Sequence, residues 1–317
     1  MYSKPHISVV IPVYNESEGI DELYRRATTA IASFTDSFEV ICVDDGSHDT
    51  SLSQLINYHK KDARFKVISL SRNFGHQSAV LAGLSVTKGE YIGVMDGDLQ
   101  DPPEVFERFY HKMKEGYDVV YAVRKKRKEG IFKKLSYWFY YRLLDKMADT
   151  KIPLDSGDFC IMSRRVVDRM LSMQEQSLYL RGIRAWVGYP QIGVEYERAE
   201  RFAGKPKYDF KQLFQLAYNG MFSFSSLPVR VMRRLGYATL IFCFLYGLKI
   251  LTFYFLYNDA PRGFTTLALA IIFFGGVQLI SIGVLGEYVY RTYNESRQRP
   301  LFIIKDKYLN EERKTIL

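Results

Sequence analysis

The chain has 317 residues, 47% of them hydrophobic and 25% charged, with a formal net charge of +9. That is enough for one α/β domain of ordinary size with something added. The basic clusters lie beside apolar segments and in a run from Arg124 to Lys128, and no zinc-finger spacing or RNP-like motif accompanies them. This excludes a nucleic-acid reading in favour of lipid headgroups and phosphate-bearing substrates. Three scattered cysteines, Cys42, Cys160 and Cys243, fit neither a metal site nor a disulfide framework and read as small apolar residues in a reducing compartment. The N-terminus has no signal-peptide layout, because Pro12 and polar residues break its short apolar run.

The first half alternates in period. Short β-branched runs predict strands at Ile7–Val13, Phe38–Val43, Phe65–Leu70, Tyr91–Met95 and Asp118–Val123. Helical patterns fall near 18–33, 50–60, 76–86 and 103–115, with Asp49 as a candidate N-cap and Pro102–Pro103 suited to a first turn. This βαβα order predicts a mainly parallel sheet with helices on both faces. Chemistry in such sheets gathers at the carboxyl ends of strands. Three polar clusters sit there: Tyr14-Asn15-Glu16, Asp44-Asp45-Gly46-Ser47 and Asp96-Gly97-Asp98.

Each cluster has a bland reading and a chemical one. Asp96 and Asp98, one residue apart after an apolar strand, can share a hard cation, Mg²⁺ or Mn²⁺, that also binds phosphate oxygens. A bare Asp-x-Asp is otherwise a solvated turn. Asp44 can accept hydrogen bonds from a base or a ribose, while an Asp-Gly turn is its plain alternative.

Further along, residues 131–147 are aromatic and basic together, as a buried helix or one lying in a membrane interface would be; residues 211–234 are similar. Gly236–Tyr257 carries one charge, Lys249, and Phe264–Val284 carries none. Both reach the length of about 20 apolar residues that a bilayer span needs. Arg230, Arg233 and Arg234 precede the first, and Arg291, Arg297 and Arg299 follow the second. Positive-inside bias therefore expects a hairpin with both flanks cytoplasmic, in a bacterial inner membrane.

Taken together, IPVYNESEGI, VDDGSHDTS, SRNFGHQSAVLAGL and MDGDLQDPPE resemble the successive blocks of glycosyltransferase family 2, in the branch acting on dolichyl or bactoprenyl phosphate. RFAGKPKY resembles that branch's Arg-x-x-Gly-x-Ser-Lys-Tyr block, with Pro206 where Ser is usual, and the likeness covers roughly residues 5–210. The resemblance implies a GT-A fold and inverting transfer from a metal-bound nucleotide sugar, UDP-glucose first, to a polyprenyl phosphate. It implies a nucleotide-sugar set of Pro12, Tyr14, Glu16, Asp44, Asp45 and Gln100, with Asp96 and Asp98 as metal ligands and catalytic residues. Arg124, Arg201 and Lys207 would hold phosphates. Lys133 and Lys134 are further cations for the acceptor or for headgroups. Asp158 falls where the branch places its acceptor-side acid, with Asp155 as a near alternative. A phosphate monoester, with a second pKa of about 6, is already largely anionic at neutral pH, so Asp158 is expected to orient rather than to remove a proton. Residues 180–186 resemble the Gln-x-x-Arg-Trp signature of processive synthases only faintly, which counts against polymerisation.

The expected division is 1–210 for the transferase domain, 211–235 for amphipathic juxtamembrane helices, 236–290 for two spans and 291–317 for a basic tail. Expected partners are the nucleotide sugar, the polyprenyl phosphate, membrane lipids and further copies of the chain. Two rival classes stand beside this reading. One is a haloacid-dehalogenase-type phosphatase, which would use Asp96 as nucleophile but normally has Thr or Val where Leu99 stands. The other is a membrane scaffold or translocation subunit, which would leave the strand-end acids without a role.

Overall fold

A computed structural model describes residues 4–124, 156–198 apart from 174 and 177, 227–257, 263–309 and 313–315. The strands β1 (Ile7–Val13), β2 (Phe38–Asp44) and β3 (Phe65–Leu70) alternate with helices α1 (Ile20–Ala32), α2 (Ser51–Lys61) and α3 (His76–Leu84). Then come β4 (Tyr91–Val94), α4 (Val105–Lys114), β5 (Val119–Arg124), β6 (Ser156–Ser163), α5 (Arg164–Ser172), α6 (Leu180–Trp186) and β7 (Gln191–Tyr196). Two long helices follow, α7 (Leu227–Tyr257) and α8 (Phe264–Arg297), and after them β8 (Ile304–Tyr308) and β9 (Arg313–Thr315). The five strands and four helices expected in the first 124 residues are all present, with ends shifted by at most two residues.

One sheet runs in the order β7-β5-β6-β4-β1-β2-β3-β8-β9. Its centre, β4-β1-β2-β3, is parallel. β6 is antiparallel to both β4 and β5, and β7 runs parallel to β5. Both β1 and β2 are buried along their whole length, as expected of strands covered on both faces. One apolar cluster lies under α1, α2 and α4, with Leu23, Ile31, Leu55, Phe106, Phe109 and Phe159. The other lies under α3, α5 and α6, with Val80, Leu84, Val166, Met170 and Ile183. Successive residues of β1 divide between them: Val9 and Ile11 to one, Val10 to the other. α3 sits so close to the sheet that a Cβ on Gly83 would lie 2.3 Å from Val10 Cγ1.

The chain past α8 returns to the domain. β8 adds antiparallel to β3, and Ser71 N donates to Ile303 O at 2.9 Å. Leu301, Phe302, Ile304 and Leu309 pack against the second cluster. At the end of α8, Gln176 donates from its backbone to Glu295 Oε1 and from its side chain to Arg299 O, both at 2.9 Å. The division expected from the sequence ended the domain at 210 and left 291–317 as a tail. Residues 291–297 instead complete α8, and 304–308 extend the sheet.

α7 and α8 are long and apolar enough to cross a membrane, over Val231–Ile250 and Ala270–Arg297, and none of either stretch is buried by the rest of the chain. Cys42 and Cys160 are buried as expected; Cys243, on α7, is exposed. Residues 131–147, expected as a buried or an interfacial helix, and 211–226, expected as an interfacial helix, lie outside the described residues.

Candidate active site

Sheet register explains why the site forms. Val94 on β4 pairs with Cys160 on the antiparallel β6. Because the strands are antiparallel, two residues on from Val94 and two residues back from Cys160 bring Asp96 and Asp158 to the same end of the sheet. Val123 pairs with Ser156 and Arg124 with Tyr196, so the ends of β5 and β7 arrive there too.

The loops after β1 and β2 are stitched together at this end. Asn15 N donates to Ser47 Oγ (3.0 Å), Glu16 N to Ser51 Oγ (2.9 Å), and His48 N to Asn15 Oδ1 (2.8 Å). The N-cap of α2 is Thr50 rather than the expected Asp49; Asp49 Oδ1 accepts from Ser51 N at 2.9 Å in the turn before the helix, and its Oδ2 accepts from Ser17 N at 3.2 Å. Tyr14 lies edge-on to His48 at 6.5 Å. Gly46 takes a positive φ of 70°, and a Cβ there would lie 2.6 Å from the Arg72 carbonyl carbon. Asp44 is buried, and burial raises its pKa against the hydrogen bonds from Ser47. Its partner Asp45 is committed elsewhere. Its two oxygens accept from Phe74 N at 2.7 Å and Gly75 N at 2.9 Å, so it braces the loop that leads into α3. These bonds give Asp45 a bracing role beside the nucleotide-contacting one expected of it.

At the centre, the imidazole Nε2 of His76, first residue of α3, lies 3.5 Å from Asp96 Oδ1 and 3.4 Å from Asp158 Oδ2. Asp158 receives Arg181 through two bonds, Nε to Oδ1 at 2.8 Å and Nη2 to Oδ2 at 3.1 Å. Gln77 Nε2 adds a third at 3.1 Å. Burial alone would lift the Asp158 carboxyl, but the charge of Arg181 and the bonds from His76 and Arg181 hold it well below the usual carboxylate range. Burial likewise opposes charge on His76, yet the bond to Asp158 and the charges of Asp96 and Asp158 prevail and bring it to about 9. Asp96 goes the other way: burial lifts it to about 6 despite His76, with Asp101, Asp158 and Asp98 adding repulsion. Its Oδ1 is buried and accepts no hydrogen bond among the described residues. Asp98 Oδ1 accepts from Gln100 N at 3.1 Å, closing the turn in which buried Leu99 takes a φ of 57°.

Beside this lies a second network. Tyr196 donates to Asp101, Arg124 Nε reaches Tyr196 Oη at 3.4 Å, and Arg198 Nε lies 3.4 Å from Asp101. Arg124 thereby stands at the same end of the sheet as Asp158, with its Nη2 3.7 Å from where a Cβ on Gly157 would be. Pro12 is buried in β1, and Tyr14 and Glu16 are half-buried at its end. Lys133, Lys134, Arg201, Lys207 and Asp155 lie outside the described residues.

Several members were not among the expected site residues. His76 and Gln77 stand at the start of α3, past the end of β3, where the strand-end rule would have found them. Arg181 belongs to the stretch set aside as a faint synthase signature; its partner is visible only once β6 and α6 are folded together. Tyr196 ends β7, Arg198 lies just past it, and neither carried a motif.

The fold and this acid-rich strand-end site define a glycosyltransferase of the GT-A class. The glycosyl transferase family 2 model matches residues 8–171, and the chain belongs to that family. It is 41% identical over 302 residues to the uncharacterised glycosyltransferase YkcC of Bacillus subtilis, covering 95% of this chain and 94% of the relative. It is 38% identical over 301 residues to the bactoprenol glucosyl transferase of Shigella phage SfV, covering 95% and 98%. A prophage bactoprenol glucosyl transferase homolog of Escherichia coli is 38% identical over 300 residues, covering 94% and 98%. Family membership sets aside the phosphatase and scaffold readings.

Proposed function

We propose that the enzyme transfers glucose from UDP-glucose to the phosphate of a membrane polyprenyl phosphate, with inversion, on the cytoplasmic side of the membrane. The observation that carries this reading is the state of Asp158. Its carboxylate is ionised and already bound by Arg181, Gln77 and His76. A sugar alcohol acceptor needs a general base. A phosphate monoester does not, since it arrives anionic. A site whose buried acid is ionised and paired with Arg181 and His76 suits that acceptor. The near full-length similarity to proteins named bactoprenol glucosyl transferase supports it, as do two helices that would keep a lipid acceptor within reach.

In this mechanism Tyr14, Glu16 and Asp44 bind the nucleoside at the ends of β1 and β2. Asp96 and Asp98 are the residues that would hold Mg²⁺ or Mn²⁺. The fit rests on a buried hard oxygen, Asp96 Oδ1, that accepts no hydrogen bond among the described residues and faces His76 Nε2 at 3.5 Å as its counter-charge. A bound divalent cation supplies counter-charge to the diphosphate leaving group. Arg124, with Arg201 and Lys207, binds phosphate oxygens. Asp158, fixed by its partners, orients the acceptor side. The acceptor's phosphate oxygen bonds to the anomeric carbon from the face opposite the diphosphate, the bond to the diphosphate breaks, and UDP leaves.

The test is direct. Purified protein, a long-chain polyprenyl phosphate in detergent and labelled UDP-glucose should give a labelled organic-extractable lipid and an equal amount of UDP. No labelled lipid from UDP-glucose, UDP-N-acetylglucosamine or GDP-mannose would contradict the acceptor reading.

A further inference from the structure

We propose that Arg181 and Gln77 are positioning residues for Asp158, which they hold in one orientation as a fixed anion on the acceptor side of the site. This rests on the reading above that Asp158 belongs to that side.

A carboxylate offers about four lone-pair sites. Arg181 takes two of them through a planar fork that matches the carboxylate, which fixes its plane as well as its position. Gln77 donates to Oδ2, and His76 stands 3.4 Å from that same oxygen, so three groups converge on Oδ2 while Oδ1 meets Arg181 Nε. Gln77 is itself held at its other end. Its Oε1 accepts from Leu180 N at 3.0 Å, a first-turn N–H of α6 that has no partner within its own helix. Only one orientation of the amide satisfies both bonds. The residue next to Leu180 is Arg181, so α3, α6 and β6 are closed into a ring through one carboxylate.

Below the ring, one helical turn past Arg181, Arg184 is 3% exposed and reaches Gly157 O at 3.5 Å. Val80, Leu84, Cys160 and Met162 complete an apolar floor. The Asp158 side chain keeps 11% of its surface open and Arg181 30%. A carboxylate in such surroundings cannot turn toward solvent for compensation. If Arg181 is lost, Asp158 is left with Gln77 and His76, and its plane is no longer set. Small misplacements of this kind cost turnover far more than they cost donor binding.

A double-mutant cycle on the full-length enzyme tests this, with Arg181→Gln, Asp158→Asn and the pair. Arg181→Gln should lower kcat about 10- to 100-fold, in the range of outer partners that orient a functional side chain. Calorimetric UDP-glucose affinity should change less than roughly 3-fold, since Arg181 touches nothing on the nucleotide side. In the Asp158→Asn background the same substitution should cost less than about 3-fold, because its target is gone. Guanidinium ion should restore part of the rate of Arg181→Ala and none of the rate of Asp158→Asn. Equal losses in both backgrounds would overturn the proposal and make Arg181 a direct contact of the acceptor phosphate. Should Arg181→Gln fail to fold, Arg181→Lys keeps the charge without the fork, and a wild-type rate from it would equally overturn the idea. The same cycle on thermal midpoints needs no acceptor. If wild type makes no labelled lipid, the acceptor reading fails by itself, while additive midpoints would overturn the pairing.

Discussion

Asp158→Asn is the perturbation whose consequences the structure specifies most fully. It keeps the shape of the side chain and removes the charge that His76 and Arg181 face. His76 rises from an ordinary 6.5 to about 9. At roughly 1.4 kcal/mol for each tenfold in protonation, that rise corresponds to about 3 kcal/mol shared between Asp158 and Asp96. The pKa is raised on folding, so this stabilisation is fully present below 6.5 and is lost as pH climbs through 9. Asp158 is lowered instead, so its own share persists to higher pH and vanishes only in acid. Between pH 5 and 6.5 both shares act together. Asp158→Asn should remove part of this stabilisation and so lower the thermal midpoint of the detergent-solubilised, metal-free protein at pH 6, by roughly 2–4 °C for each kcal/mol lost. The gap should narrow by pH 9.5, where His76 is neutral in both proteins, leaving the loss due to Arg181. The assay is a midpoint series from pH 5 to 9.5 in EDTA. A gap that stays constant across that range would refute the reasoning, because His76 would then owe no charge to Asp158.

Other expectations follow from single residues. Asp98→Asn should abolish turnover and weaken donor binding with the fold intact, a loss well beyond that of Asp158→Asn; full activity in excess EDTA would remove the metal reading. Because Asp96 titrates near 6, Mn²⁺ affinity measured by calorimetry should fall below that pH by up to about tenfold per pH unit, as the carboxylate must lose its proton to bind. Gly46→Ala should destabilise the domain by roughly 1–3 kcal/mol, seen as a lower thermal midpoint, since it combines a positive φ with a clash against the Arg72 backbone. A reporter after Leu317 should read cytoplasmic and one at Asn258 the opposite side; both on one side would refute the hairpin.

The parallel core of the fold was legible because its strands are continuous β-branched runs and α1, α2 and α4 are amphipathic, so local pattern and burial agree. The same signal located Asp44, Asp96 and Asp98, which end such strands. Asp158 was reached through resemblance, and register supplies its physical reason, since β6 runs against β4. What the sequence did not disclose depends on contacts between distant segments. The Arg181–Asp158 pair joins positions 23 apart. The Gln77–Asp158 bond spans 81. The return of β8 onto β3 follows two long apolar helices that sever any local cue. The bonds from Asp45 to the backbone of 74–75 are of the same long-range kind, and nothing in its Asp-Asp motif announces them.

The central claim is transfer to a lipid phosphate without a general base. The most direct measurement is turnover against pH, with polyprenyl phosphate and UDP-glucose, for wild type and Asp158→Asn. The account expects both to make the labelled lipid, with Asp158→Asn slower but measurable. It also expects both rates to rise through the acceptor's own titration, near a pKa of about 6. A rise that disappears in Asp158→Asn, with activity as low as in Asp98→Asn, would make Asp158 an obligatory base and contradict the account.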